Sequence, residues 1–358
     1  VESNGGDSVD SDSLSGLLKR HGFDPEQHEQ IREDLLAGRV GLSQNRLHPK
    51  SHIEDVDRDS LGFKFNRETC IEEGKKALER GECAVVTLAA GAGSRWTQGA
   101  GVVKALHPFA PFNGVFRNFL EVHLAKSRKA ARLSGTRVPH VVTTGYLTNQ
   151  PISEWVDLMG ASHPEALEGV QLHLSPGKSV GLRLVPTIRD LRYAWYELPQ
   201  EKLDEQAEKM RDSVRQALMR WAESVGEATD YRDNLPLQCM HPVGHWYEVP
   251  NLLLNGTLHT ILNSHPNLKV LLLHNIDTLG ASLDPLFIGH HILSGSALTF
   301  EVMQRKFEDV GGGLARVDGV TRLVEGFALP REEDEFRLSF YNTATSWIDV
   351  DQPLDWFG

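Results

Sequence analysis

Three cysteines in 358 residues, at 70, 83 and 239, are too few and too far apart for a disulfide framework. No Cys-x-x-Cys pair is present for zinc, so reduced thiols are expected. No run of 18 or more apolar residues occurs, which excludes a membrane-spanning helix. The first residues hold neither a basic stretch nor an apolar h-region, so no secretory leader is read and a cytoplasmic protein is expected. Positive charge is also short: 37 Lys+Arg against 49 Asp+Glu leave a net charge of −12. Non-specific attraction to nucleic acid or an anionic membrane is thereby disfavoured, and neither is expected as a partner. What remains, 40% hydrophobic and 24% charged, is the composition of an ordinary globular protein, long enough for two domains or one large domain with additions. Composition does not set the oligomeric state.

Residues 1–13 (VESNGGDSVDSDS) are nearly devoid of apolar side chains and are read as a disordered tail. Residues 14–66 form an N-terminal helical extension, with two short helices marked by apolar spacing, Pro25 in a first turn and Gly38 as a stop. An α/β domain is expected over 67–358. It opens with a helix at 67–80 and the continuous apolar run CAVVTLAA, a buried strand of the parallel type. A helix at about 115–133, a strand VPHVVTT, a helix PISEWVDLMG and a strand GVQLHL follow. A long charged helix covers 201–224, NLLLNGTLHTILNSH reads as helical, and NLKVLLLHNID is the clearest buried strand of the second half. A helix over 283–293 precedes three strand-like segments between 297 and 329. This alternation predicts a mixed, mostly parallel sheet covered by helices, with an antiparallel part late in the chain.

The chemistry concentrates in Leu88-Ala89-Ala90-Gly91-Ala92-Gly93-Ser94-Arg95, directly after a buried strand. Ligands of open α/β sheets bind outside the carboxyl ends of strands. Glycines there let backbone N–H groups approach phosphate oxygens, and Arg95 and Lys104 supply positive charge. The alternative is a plain strand-to-helix turn. A dinucleotide fingerprint would need glycine where Trp96 stands, and a P-loop would need Lys close behind the last glycine and then Ser or Thr, whereas Lys104 is followed by Ala105.

At these residues the sequence resembles the UTP-dependent sugar-1-phosphate uridylyltransferases, or UDP-sugar pyrophosphorylases. Gly91-Ala92-Gly93-Ser94-Arg95, then Lys104-Ala105-Leu106-His107-Pro108, then Phe119-Leu120-Glu121, follow that family's nucleotide loop and its sequel. PVGHWYEV (242–249), HNIDTLGASLDP (274–285), VGGGLARVDGVTRLVEGFALP (310–330) and FYNTATSWI (340–348) resemble its later segments, so the likeness runs in order over about 83–348. The resemblance implies a Rossmann-like nucleotide-diphospho-sugar transferase fold. It implies nucleotide contacts from Ala90, Gly91, Ala92, Gly93, Ser94, Gly244 and His245, and phosphate contacts from the catalytic pair Arg95 and Lys104. Asn275, Glu325, Asn342 and Thr343 would face the sugar, and Asp277 would hold Mg²⁺. A carboxylate sharing the ion with phosphate oxygens and water suits Mg²⁺; a helix or turn cap is the plainer reading of Asp277.

The implied reaction joins UTP and a sugar-1-phosphate to give a UDP-sugar and pyrophosphate, with glucose-1-phosphate and N-acetylhexosamine-1-phosphate both open. Some positions depart from the pattern. Val310 stands where the family has Lys before Gly-Gly, Trp246-Tyr247 replace Gly-Asp, Ala344-Thr345 replace an Asn pair, and HLSPGKSVGL offers no uracil-reading Gln. Two rivals therefore stay open: a non-catalytic nucleotide-sugar-binding or regulatory homologue, and a nucleotidyltransferase using another NTP.

Overall fold

The computed structural model describes residues 13–58, 61–62, 64–93, 103–196, 205–306, 309, 311–330 and 332–351. Its strands are β1 Ile53–Asp55, β2 Cys83–Leu88, β3 Pro108–Phe112, β4 Val115–Asn118, β5 Val138–Thr144, β6 Val170–Pro176 and β7 Val180–Leu182. They continue with β8 Met240–Pro242, β9 Val270–Asn275, β10 Leu298–Gln304, β11 Gly313–Val317, β12 Val320–Val324 and β13 Phe340–Asp349. The helices are α1 Leu14–Arg20, α2 Pro25–Leu36, α3 Arg67–Glu79, α4 Phe119–Ser134, α5 Asn149–Ser162 and α6 Ile188–Tyr196. After them come α7 Glu205–Val225, α8 Pro236–Cys239, α9 Glu248–Leu254, α10 Thr257–Ser264, α11 Pro285–Ser294 and α12 Glu332–Phe336. No helix among the described residues is long and apolar enough to cross a membrane. All three cysteines are buried free thiols.

The chain divides into two compact units: Val1–Asp57, Ser179–His241 and Met303–Asn342 make one, and Arg58–Lys178, Pro242–Val302 and Thr343–Gly358 the other. In the first unit, Ser13 and Asp24 cap α1 and α2 by accepting from first-turn N–H groups, and Pro25 occupies the first position of α2. Residues 1–12 of the expected tail lie outside the described residues. One turn apart on α2, His28 Nε2 meets Asp230 Oδ1 at 2.9 Å and Arg32 donates to the Ala228 carbonyl at 2.6 Å. Burial opposes ionisation of Asp230, yet hydrogen bonds from His28, Arg32 and Arg232 hold its carboxyl well below the usual range. Strands β1, β11 and β12 form an antiparallel ladder around Ala315, Val317, Val324, Leu329 and Leu338.

In the second unit, four strands run parallel in the order β9-β2-β5-β6, with Leu88 opposite both Asn275 and Thr143. The Thr345–Asp349 stretch of β13 adds antiparallel to β9, and β10 pairs with β13, the expected antiparallel part. Alternate residues of the strands serve two faces. Ala84, Val86, Val141 and Leu271 pack with Leu252, Leu258 and Ile261 of α9 and α10, while Cys83, Val85, Val138, Val270 and Leu272 pack with α3, α4 and α11. Helices α3 and α11 touch backbone to backbone: a Cβ on Gly74 would lie 1.9 Å from the Pro285 carbonyl oxygen, and one on Gly289 1.8 Å from that of Cys70.

Besides β1, a strand at Ile53–Asp55 inside the stretch expected as a helical extension, two segments differ from the sequence expectation. The helix read from 115 begins at Phe119, because 108–118 form the hairpin β3–β4 about Asn113-Gly114, both at positive φ (50° and 78°). Asn118 ends β4 and opens α4 through a capping box with Glu121. The second is NLLLNGTLHTILNSH, which is two helices. Gly256 takes φ 77° and the Asn255 side chain accepts from Thr257 N–H at 3.0 Å, which starts α10 afresh. The charged helix is observed from Glu205 to Val225.

Candidate active site

Parallel strands deliver their carboxyl ends to one edge of the second unit, and the glycine loop leaves β2 there. Its entry is pinned by Ala89 N–H donating to Thr143 O at 3.2 Å, and Ile276 N–H donates to Leu88 O at 3.1 Å from the end of β9. The Ala90 carbonyl lies against the turn after β5, where a Cβ on Gly145 would come within 2.8 Å of it. Further along, Lys104 N–H donates to Ala92 O at 3.2 Å, so the loop returns on itself at the lysine. Gly93 has φ 68°, and a Cβ there would stand 2.5 Å from Lys104 Cβ. The glycine thus makes room for the lysine stem as well as supplying a left-handed backbone.

The loop, Lys104 and Asp277 come together. Lys104 Nζ donates to Asp277 Oδ2 at 2.6 Å; the lysine side chain is 18% exposed and the aspartate 46%. Asp277 follows β9 by two residues with its carboxylate toward solvent at the strand-end edge, and that carboxylate pairs with a lysine ammonium, so the cap reading does not describe it. Asn275 ends β9, half-buried. Thr343 sits on β13, its hydroxyl donating to Glu301 O at 2.8 Å and its carbonyl accepting from Thr278 Oγ1 at 3.2 Å, one residue beyond Asp277. Gly244, at φ 98°, and His245 are exposed and precede α9. Glu325, exposed after β12, and Asn342, half-buried on β13, belong to the first unit. Ser94, Arg95 and Val310 lie outside the described residues.

Sequence reasoning passed over several side chains at this edge. Glu248, the first residue of α9, is 7% exposed, and its Oε2 has no hydrogen-bond partner. Burial pushes its carboxyl up to about 7, against an opposing hydrogen bond with Thr143. The others are His123, Lys126, Ser127, His140, Thr87 and His274, beneath the end of β9. The readable sign was a polar residue flanked by apolar ones in each strand run: Thr87 in CAVVTL, His140 in VPHVVTT, and His274 after VLLL.

Among the described residues no three His, Cys, Asp or Glu converge into a closed metal centre. A single exposed carboxylate beside an ammonium and a glycine loop could supply one ligand to a divalent cation carried on phosphate oxygens.

The family model described as UTP–glucose-1-phosphate uridylyltransferase matches residues 226–353. The curated protein of that name from Saccharomyces cerevisiae is 31% identical over 121 residues, 32% of this chain and 24% of its own; the Solanum tuberosum one is 29% identical over 132 residues, 33% and 27%. The match therefore spans about a quarter of the curated relatives' length. Among solved structures, a UDP-glucose phosphorylase from Trypanosoma brucei superposes with TM-score 0.61 at 18% identity, covering 96% of this chain and 62% of that one. A UDP-N-acetylglucosamine pyrophosphorylase from the same organism gives 0.56 at 18%, covering 95% and 60%. Residues 226–353 thus match the model of the UTP–glucose-1-phosphate uridylyltransferase family, and the chain carries the mixed α/β fold seen in the UDP-sugar pyrophosphorylase structures.

Proposed function

We propose that the protein transfers a uridylyl group from UTP to a sugar-1-phosphate. A phosphate oxygen of the sugar-1-phosphate attacks the α-phosphorus of UTP, the bond to the β-phosphate oxygen breaks, and pyrophosphate leaves. The observation that carries the reading is the Lys104–Asp277 pair beside the Ala89–Gly93 loop. Bringing two polyanions together leaves the protein mostly positioning and charge compensation to perform. Lys104 lies against Gly93, and its ammonium would neutralise phosphate oxygens. The loop N–H groups at Gly91 and Ala92 would donate to them. Asp277 would repel a triphosphate by itself; holding Mg²⁺ gives the carboxylate a purpose in an anion site. When bound, Mg²⁺ would offset negative charge on the phosphates. Gly244 and His245 are assigned to the nucleoside, and Asn275 and Thr343, of the same unit, to the sugar. Glucose-1-phosphate is the first acceptor to test, since the curated relatives carry it in their names, and N-acetylhexosamine-1-phosphate the second.

The test is pyrophosphate release from each NTP with each sugar-1-phosphate. UTP with one acceptor is expected to be active. Lys104→Ala should cost on the order of 3 kcal/mol in the barrier, about a hundredfold, mostly in kcat. Asp277→Asn should abolish Mg²⁺-dependent turnover while metal-free UTP binding stays equal or tightens slightly. Activity with another NTP alone would replace the nucleobase assignment, and UTP binding without turnover would make the protein a nucleotide-sugar-binding homologue.

A further inference from the structure

Helix α4 turns one face, His123, Lys126 and Ser127 at i, i+3 and i+4, toward the end of β9. His123 Nε2 lies 2.9 Å from the Ile276 carbonyl, which accepts. Lys126 Nζ donates to the carbonyls of Leu279 and, at 2.9 Å, Ala281. Ser127 reaches the same segment through three strands. Its Oγ is 2.8 Å from His140 Nδ1, His140 Nε2 is 2.9 Å from Thr87 Oγ1, Thr87 Oγ1 is 3.0 Å from His274 Nε2, and His274 Nδ1 is 2.9 Å from the Asn275 carbonyl.

The direction of every bond in this relay is fixed. A carbonyl only accepts, so His274 carries its proton on Nδ1. Its Nε2 then accepts from the Thr87 hydroxyl. The hydroxyl has one proton to give and must receive the other bond from His140 Nε2–H. His140 Nδ1 therefore accepts from Ser127. Thr87 and His140 are 0% exposed and His274 1%, and the space left beside His123, Lys126, Ser127 and His274 is about 10 Å³, no more than one water needs. Burial also holds all three imidazoles neutral, with pKa values near 2 for His123, 3 for His140 and 4 for His274.

All four accepting carbonyls, of Asn275, Ile276, Leu279 and Ala281, flank Asp277. We infer that these six side chains are positioning residues which clamp the backbone on both sides of Asp277, so that its carboxylate meets the substrate's phosphates without reorganising. This rests on the proposed uridylyl transfer, but its first test does not. In ¹⁵N-edited NMR of the intact protein at pH 7, His274 is expected as the Nδ1–H tautomer and His140 as the Nε2–H tautomer. Either ring in the opposite tautomer, or as imidazolium, overturns the relay whatever the protein catalyses.

The second test is kinetic. His123→Leu removes the donor to Ile276, and Lys126→Met removes the bonds to Leu279 and Ala281 while keeping the aliphatic stem. Each should lower kcat about tenfold or more, with KM for UTP changed less than about threefold. His123→Gln, whose amide can still donate, should recover most of the loss. Unchanged kcat in a folded Lys126→Met variant, or equal losses in His123→Leu and His123→Gln, would overturn the clamp. A wild type without turnover would refute the reaction, leaving the tautomers to decide the relay.

Discussion

Gly93 carries two demands at once: a φ of 68° and a lysine stem where its side chain would be. Valine there incurs the left-handed strain, about 1–2 kcal/mol, and drives Lys104 away from Asp277. The ion pair itself is partly exposed and holds the fold little, at most about 1 kcal/mol. Gly93→Val is accordingly expected to remain folded while losing most of its UTP affinity, measured by calorimetric titration; unchanged binding in a folded variant would take the loop out of the site. The loop and Asp277 were legible in the sequence because both follow unmistakable buried strands, and parallel strands put such residues at one edge. The Lys104–Asp277 contact, 173 residues apart, was not, nor was the histidine relay. One threonine or histidine in an apolar run looks like an exception until the register of β2, β5 and β9 sets the three side by side.

Among the elements, the crossing of α3 on α11 depends on two glycines that have no room for a methyl group. Gly289→Ala would press a Cβ into the Cys70 carbonyl, and the helices must separate, at about 1–3 kcal/mol. Gly160 lies inside α5, where an added methyl group would meet nothing within 4 Å. It should respond with the opposite sign: Gly160→Ala is expected to stabilise by about 0.5–1 kcal/mol. Urea denaturation of the two variants beside wild type checks both signs. Most elements were readable because they announce their ends, as α2 does with Asp24, Pro25 and Gly38. The dipeptide Asn-Gly is harder to read, because it means different things in its two places. At 113–114 both residues have positive φ and close a hairpin; at 255–256 only the glycine does, and a helix is divided. The deciding factor is what flanks it, extended β3 and β4 in one case and two apolar helical faces in the other.

For the molecule as a whole, His123, His140 and His274 make folding sensitive to acid. Each has its folded pKa depressed far below the ordinary 6.5. The unfolded chain therefore takes up protons that the folded one refuses once the pH falls below about 6.5, and stability drops. At pH 5 each ring costs about 2 kcal/mol relative to pH 7.5, roughly 6 for the three. Glu248 works the other way. Its folded pKa is raised from 4.5 to about 7, so the folded state holds a proton that the unfolded one releases. Its penalty is present at pH 7.5 and shrinks toward pH 4.5, returning about 2 kcal/mol on acidification to pH 5. From these four groups alone the expectation between pH 7.5 and 5 is a loss of about 3–4 kcal/mol, seen as a fall in Tm of roughly 5–10 °C. Glu248→Gln separates the two contributions. It should stabilise the protein at pH 7.5 by about 2 kcal/mol, change it little at pH 5, and steepen the acid fall. A Tm that stays flat from pH 7.5 to 5 in the wild type would mean that the three imidazoles are not held neutral.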